Sequence, residues 1–213
     1  MNETSLSFSL ALAVISAAAT SFSSYSSNHL AENKAKIVEA KENNVTAIFA
    51  MGCFWCAEAD FEKVKGVIKV ESGYIGGNVN NPSYEQVSAG GSGHYEAVLV
   101  TYDPKVTNYA NLLKIFWRNI DPFDANGQFC DKGHSYKSAI FTSVKYEKTI
   151  ATLSKENLKK TFNKNIETKI LPKSTFYKAE EYHQDYYKKN PISYKYYRKS
   201  CGRDARLKEI WGK

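Results

Sequence analysis

Through residue 143 the chain alternates short apolar runs with stretches of helical period, in the order β-α-β-β-α-β. This order constrains the fold more than any other feature. Residues 45–50 (VTAIFA) read as a buried strand that Gly52 breaks. Phe54, Trp55, Ala57, Phe61 and Val64 fit one face of a helix over 53–65, with Gly66 as its stop. Residues 67–74 alternate like a strand, and YEAVLVTY at 95–102 is another. After the Asp103-Pro104 turn, Leu112, Ile115 and Phe116 mark a helix over 108–119, and 136–143 is a fourth strand. A split βαβ unit follows: an α/β (α+β) two-layer sandwich, ferredoxin-like, with helices on one face of the sheet. Beyond it the pattern predicts a helix over 145–162, a strand over 168–171, a short aromatic helix over 178–189 and an irregular tail over 190–213. The Gly/Asn/Ser-rich loop 75–93 and the loop 121–135 are longer than a compact domain tolerates without a functional reason.

Upstream of this core, LSFSLALAVISAAA at 6–19 has the length of a signal-peptide apolar region and ends in Ala17-Ala18-Ala19. The expected organisation is a leader over 1–19, a polar lead-in over 20–44 and a catalytic domain over 45–213. The predicted location is outside the cytoplasm, in a periplasm, where cysteines tend to pair. The stretch before the apolar run holds Glu3 and no Lys or Arg, so a cytoplasmic or membrane-tethered chain is the competing expectation. No later apolar run approaches the ~20 residues that span a bilayer, so stable membrane insertion is not expected once the leader is removed. Aromatics at 14% and charged residues at 24% exclude a wholly disordered chain. The net charge of +7 comes mostly from late Lys and Arg interleaved with Glu156, Glu167, Glu180, Glu181 and Asp185. That is a solvated basic face, not a nucleic-acid site.

The densest chemistry lies in Gly52-Cys53-Phe54-Trp55-Cys56, where a strand ends and a helix begins. Free N–H groups and the helix dipole there favour a thiolate. Ala57 stands where a c-type haem site needs histidine. A zinc site from Cys53, Cys56, Cys130 and Cys201, or with His134, lacks a second C-x2-C pair. A thioredoxin-like redox motif fits the spacing. Glu96 precedes the apolar run AVLV, and a desolvated carboxyl there would hold its proton near neutral pH. Taken singly, Glu96, His94, Tyr84, Asp131 and Tyr136 are ordinary surface, loop or packing residues.

Together these segments resemble one family, the A-type peptide methionine sulfoxide reductases. The likeness rests on GCFWC at 52–56, GYIGG at 73–77, NPSYEQV at 81–87, GHYEAV at 93–98, YDP at 102–104, DKGHSYKSAIF at 131–141 and AEEYHQDYY at 179–187. The resemblance implies that Cys53 is the nucleophile and that Phe54 and Trp55 hold the substrate's methyl group. It implies that Glu96 is the acid, that Tyr84 and Tyr136 bind the sulfoxide oxygen, and that Asp131 positions substrate and a water. His94 is given a supporting role. The implied reaction reduces methionine-S-sulfoxide, free or in proteins, through a Cys53 sulfenic acid. No bound metal or organic cofactor is implied; the reductant is a thioredoxin-like dithiol, which an exported enzyme would reach through a membrane-linked relay. Cys56 and Cys201, the latter in a tail expected to be mobile, are both candidates for the resolving thiol, and Cys130 is expected to be structural. A monomer is the default expectation. The alternatives are a thiol–disulfide oxidoreductase built on Cys53 and Cys56, and a peptide-binding module.

Overall fold

The computed structural model describes residues 45–212; the leader and lead-in expected over 1–44 lie outside the described residues. Four strands, β1 (Val45–Met51), β2 (Val67–Ile75), β3 (Tyr95–Tyr102) and β6 (Ser138–Thr142), form the centre of a sheet ordered β6-β1-β3-β2. All three pairings are antiparallel. With α1 (Phe54–Phe61) between β1 and β2 and α3 (Tyr109–Arg118) between β3 and β6, this is the split βαβ arrangement read from the sequence. Helix α4 (Lys145–Phe162) then returns the chain to β7 (Lys169–Pro172), parallel to β6, and β8 (Tyr177–Lys178) pairs antiparallel with β2 at the other edge.

Apolar residues at both phases of β1 place it mid-sheet. Ala47, Phe49 and Met51 face the helices, while Ile48 and Ala50 join Ile75, Tyr95, Ala97, Ala139 and Phe141 on the reverse face. On the helical side, Phe49 stacks 5.1 Å from Phe61 and 5.4 Å from Phe116. Asn108 caps α3, its Oδ1 accepting from the Asn111 N–H at 2.9 Å. Residue 96 shares the phase of Val98 and Val100, so the β3 pleat directs Glu96 toward α1.

The two loops hold structure. Ser83 and Gln86 close a capping box that starts α2 (Tyr84–Ser88) inside 75–93. The second loop folds into the hairpin β4 (Gly127–Gln128) and β5 (Asp131–Lys132), then a 3-10 turn over His134–Tyr136. The fourth strand therefore begins at Ser138, not at residue 136.

Two expectations fail at the C-terminal end. The predicted helix over 178–189 is the strand β8, a run of turns, and only α5 (Tyr186–Lys189). Gln184 takes the backbone of Ser72 at both ends: its Oε1 accepts from the Ser72 N–H at 3.0 Å and its Nε2 donates to the Ser72 carbonyl at 2.9 Å. These contacts outweigh helix propensity, and left-handed Asp185 (φ 55°) starts the new helix. The tail is not irregular: α6 (Pro191–Ser200) and α7 (Arg203–Trp211) meet at Gly202 (φ 70°). Their inward residues are Tyr194, Arg203 and Leu207, so a buried arginine breaks the apolar period that would have marked them. No helix of the described residues is long and apolar enough to cross a membrane.

Candidate active site

The corner between β1 and α1 builds the site. Gly52 takes φ +80°, and a Cβ there would lie 2.6 Å from Cβ of Gln128. Gln128 is itself fixed, its Oε1 accepting from the Asp121 N–H and its Nε2 donating to the Asp121 carbonyl, both at 2.8 Å. The Cys53 carbonyl accepts the first N–H groups of the helix, from Cys56 at 3.2 Å and Ala57 at 3.3 Å. The Phe54 N–H, at the positive end of α1, donates to Glu96 Oε2 at 3.0 Å.

Burial pushes the Glu96 carboxyl up to about 8, against the Phe54 N–H, with Asp131 adding to the rise. Glu96 therefore carries its proton at neutral pH, as its place before AVLV suggests. Cys53 departs from expectation. Burial, then Cys56 and Glu96, hold its thiol well above the usual range, while Tyr197 pulls the other way. A helix start does not yield a resting thiolate when the sulfur is sealed beside a carboxyl. Cys56 is the more acidic thiol: a hydrogen bond from Cys53 brings it down to about 7 against burial, with Arg203 and Arg198 helping.

Aromatic side chains wall this corner. The Phe54 ring lies 4.9 Å from His183 and 5.9 Å from Tyr74. Trp55 stacks on Tyr186 at 3.8 Å, and its Nε1–H donates to His183 Nδ1 at 3.0 Å. That bond leaves the His183 proton on Nε2, which is buried with no partner. Glu180 joins two tyrosines, accepting from the Tyr74 hydroxyl at 2.8 Å and from the Tyr84 N–H at 2.9 Å. The Tyr84 and Tyr136 phenols act on each other, and both lie in the field of Glu96. Asp131, raised by burial, accepts from the Tyr197 hydroxyl at 2.5 Å, and Tyr197 also acts on Cys53.

The structure thus brings together Cys53, Cys56, Phe54, Trp55, Tyr84, Glu96, Asp131 and Tyr136. His94 stands apart as a loop brace, its Nδ1 accepting from the Gly77 N–H at 3.1 Å and its Nε2 donating to the Val79 carbonyl at 2.7 Å. Cys201 is not on a mobile tail. It is bonded to Cys130, while Cys53 and Cys56 are free. The bond removes two of the four sulfurs weighed for zinc, and His134 spends Nε2 on the Gly93 carbonyl at 2.9 Å. Tyr197, His183, Glu180 and Arg203 were not assigned roles from the sequence. Glu180 and His183 lie within AEEYHQDYY, a motif to which no roles were given.

The arrangement suits a small polar oxygen flanked by a methyl group. Protonated Glu96 and two phenols can donate to the oxygen, the Phe54–Trp55 wall can hold the methyl, and a sulfur nucleophile stands beside both. Comparison with known proteins agrees. Residues 45–213 match the family model described as peptide methionine sulfoxide reductase. Peptide methionine sulfoxide reductase MsrA 2 of Caulobacter vibrioides is 54% identical over 168 residues, 78% of this chain and 85% of that protein. MsrA of Halalkalibacterium halodurans is 49% identical over 169 residues, covering 78% and 96%. Among solved structures, reduced Mxr1 from Saccharomyces cerevisiae superposes with a TM-score of 0.67 at 32% identity, over 71% of this chain and 88% of that one. Methionine sulfoxide reductase A of Corynebacterium diphtheriae gives 0.65 at 31% identity, over 70% and 76%. Site geometry, sheet order and sequence agreement across the whole described fold converge, and the chain belongs to the peptide methionine sulfoxide reductase family.

Proposed function

We propose that this methionine sulfoxide reductase acts on the S epimer of methionine sulfoxide, free or in proteins, with Cys53 as nucleophile and Cys56 as resolving thiol. The observation that carries the reading is the meeting of the Cys53 thiol with a protonated Glu96 at one helix start. The Tyr84–Tyr136 pair lies in the field of the same carboxyl. The Cys53 sulfur attacks the sulfoxide sulfur. Glu96 gives its proton to the oxygen, Tyr84 and Tyr136 hydrogen-bond it, and the Cys53 thiol proton restores Glu96. Asp131 orients the substrate and a water. Oxygen passes from methionine to Cys53, which becomes a sulfenic acid, oxidised by two electrons. Cys56 then displaces that oxygen as water and closes a disulfide. Its N–H already rests on the Cys53 carbonyl, and the Cys53 thiol acts on its sulfur, whereas Cys201 is held by Cys130. A thioredoxin-like dithiol reduces the Cys53–Cys56 bond. The meeting of Glu96 and the Tyr84–Tyr136 pair at this sulfur favours the reductase over a general disulfide oxidoreductase, which needs neither.

Mixing reduced protein, without added reductant, with each resolved epimer of a blocked methionine sulfoxide tests this. The expected result is one methionine per chain from the S epimer only, two thiols lost, and a 53–56 peptide cross-link by mass spectrometry. No methionine from either epimer overturns the reading.

Export is part of the same proposal. The 6–19 apolar run and the Cys130–Cys201 bond both suit an oxidising compartment. Cell fractionation with N-terminal sequencing is expected to find a chain starting after Ala19 outside the cytoplasm, and an intact chain in the cytoplasm would remove this part.

A further inference from the structure

We infer that Arg203 is a positioning residue for the resolving step: its buried guanidinium is the counter-charge that holds Cys56 as an anion while it closes onto oxidised Cys53. This rests on the reading of Cys53 as the sulfur that takes the oxygen.

Arg203 is 1% exposed, the largest fully buried side chain among the described residues. Its Nη2 donates to the Asn119 carbonyl at 2.8 Å and its Nη1 to the Met51 carbonyl at 3.3 Å, and the group lies 4.5 Å over the Phe129 ring. Its Nε is buried without an acceptor. Among the described residues no carboxylate bonds it. Arg198, by contrast, is paired with Asp60 at 3.1 Å and Asp204 at 2.8 Å, and Arg206 with Asp121 and Glu209, both at 2.7 Å. A buried cation held only by carbonyls and a ring is costly, and an anion formed nearby offsets that cost.

The Arg203 charge acts on Cys56, the free thiol one turn into the helix that starts at this corner. The groups bearing on Cys56 come from every element packed around it: Cys53 and Asp60 on α1, Glu96 on β3, Tyr194 and Arg198 on α6, and Arg203 on α7. Asp60 opposes a thiolate, Glu96 is neutral while protonated, and the Arg198 charge is answered by its own two acids. Arg203 also acts on Asp131, but among the described residues no carboxylate hydrogen-bonds or ion-pairs with it. The Met51 carbonyl that holds it lies two residues before Cys53, so the charge is tied to the corner that carries both thiols.

In the step itself the Cys56 thiolate attacks the Cys53 sulfenic sulfur. The S–S bond forms as the S–O bond breaks, and the hydroxyl leaves as water with a proton from Glu96. Cys56 loses its electron pair to the new bond, so the anion beside Arg203 disappears on closure.

Quenched-flow single turnovers with a methionine-S-sulfoxide peptide separate methionine release from thiol loss. In Arg203→Met closure should slow about tenfold at pH 7, more than methionine release does, and the ratio to the parent should approach unity by pH 9. Arg203→Lys should recover most of the loss. Closure in Arg203→Met at the parental rate, or a deficit that neither alkaline pH nor lysine reduces, overturns the inference. If Arg203→Met does not fold, Arg203→Gln decides by the same two readouts, and closure in it at the parental rate overturns the inference. Absence of methionine from the parent would sink the reductase reading instead, a different result.

Discussion

Glu96 shows how a single residue's surroundings set its chemistry. At the start of a strand it could be a surface carboxylate; the β3 pleat turns it under α1, and burial raises it to about 8. Its proton is therefore present at pH 7 and is lost as pH rises through 8. Methionine formation should fall about tenfold per pH unit above that point, and Glu96→Gln should lower it at least ~100-fold, the low end for general acid catalysis. A rate assay of the first half-reaction from pH 6 to 10 checks both, and an alkaline decline that persists in Glu96→Gln would assign it elsewhere. The same shift acts on stability. A carboxyl with a raised folded pKa contributes stability present below its ordinary value near 4.5 and lost as pH rises through about 8. Glu58, raised by burial to about 7, adds a loss of the same sign in a slightly lower window. Urea unfolding should show stability falling between pH 5 and 9, less steeply in Glu96→Gln.

At the scale of elements, legibility followed apolar pattern. The strands β1 and β3 and the helices α3 and α4 were readable because Phe49, Val98, Leu112 and Phe116 repeat at the right period. The α2 helix carried a readable signal in its Ser83–Gln86 box, one that the surrounding glycines obscured. The elements from Ala179 onward were not readable. Their inward groups are polar: Glu180, His183, Gln184, Tyr197, Arg198 and Arg203 lock onto other elements through hydrogen bonds between residues 66 or more apart. Local sequence contains no trace of such partners. The cost was functional as well as structural, because α6 delivers Tyr197 to Cys53 and Asp131. Tyr197→Phe removes a group that lowers the Cys53 pKa and leaves Asp131 without its donor. Methionine release at pH 7 should slow about tenfold, with the acidity of Cys53, read by iodoacetamide alkylation in a Cys56→Ser background, moving further up. An unchanged rate would reduce Tyr197 to packing.

The whole molecule is closed by the bond between Cys130 and Cys201, which spans 71 residues and ties the α6–α7 corner to the hairpin that carries Asp131. Cross-linking a loop of that length is worth about 4 kcal/mol by restriction of the unfolded chain. Its placement couples stability to chemistry: Asp131 follows Cys130, Arg203 lies just beyond Cys201, and Tyr197 lies one turn before it. The double variant Cys130→Ser, Cys201→Ser should therefore lose about 3–4 kcal/mol in urea unfolding. Methionine release should slow in step, because Tyr197 and Asp131 lose their common anchor. Disulfide closure should survive, since Cys53 and Cys56 are both on the α1 corner and need neither removed sulfur. Two thiols lost per methionine in this variant would fix Cys56 as the resolver and the outer bond as a clamp. A variant that releases methionine but stops at the sulfenic acid would give the resolving role to the outer pair, and the inner C-x2-C would then be read as a site held reduced by its burial.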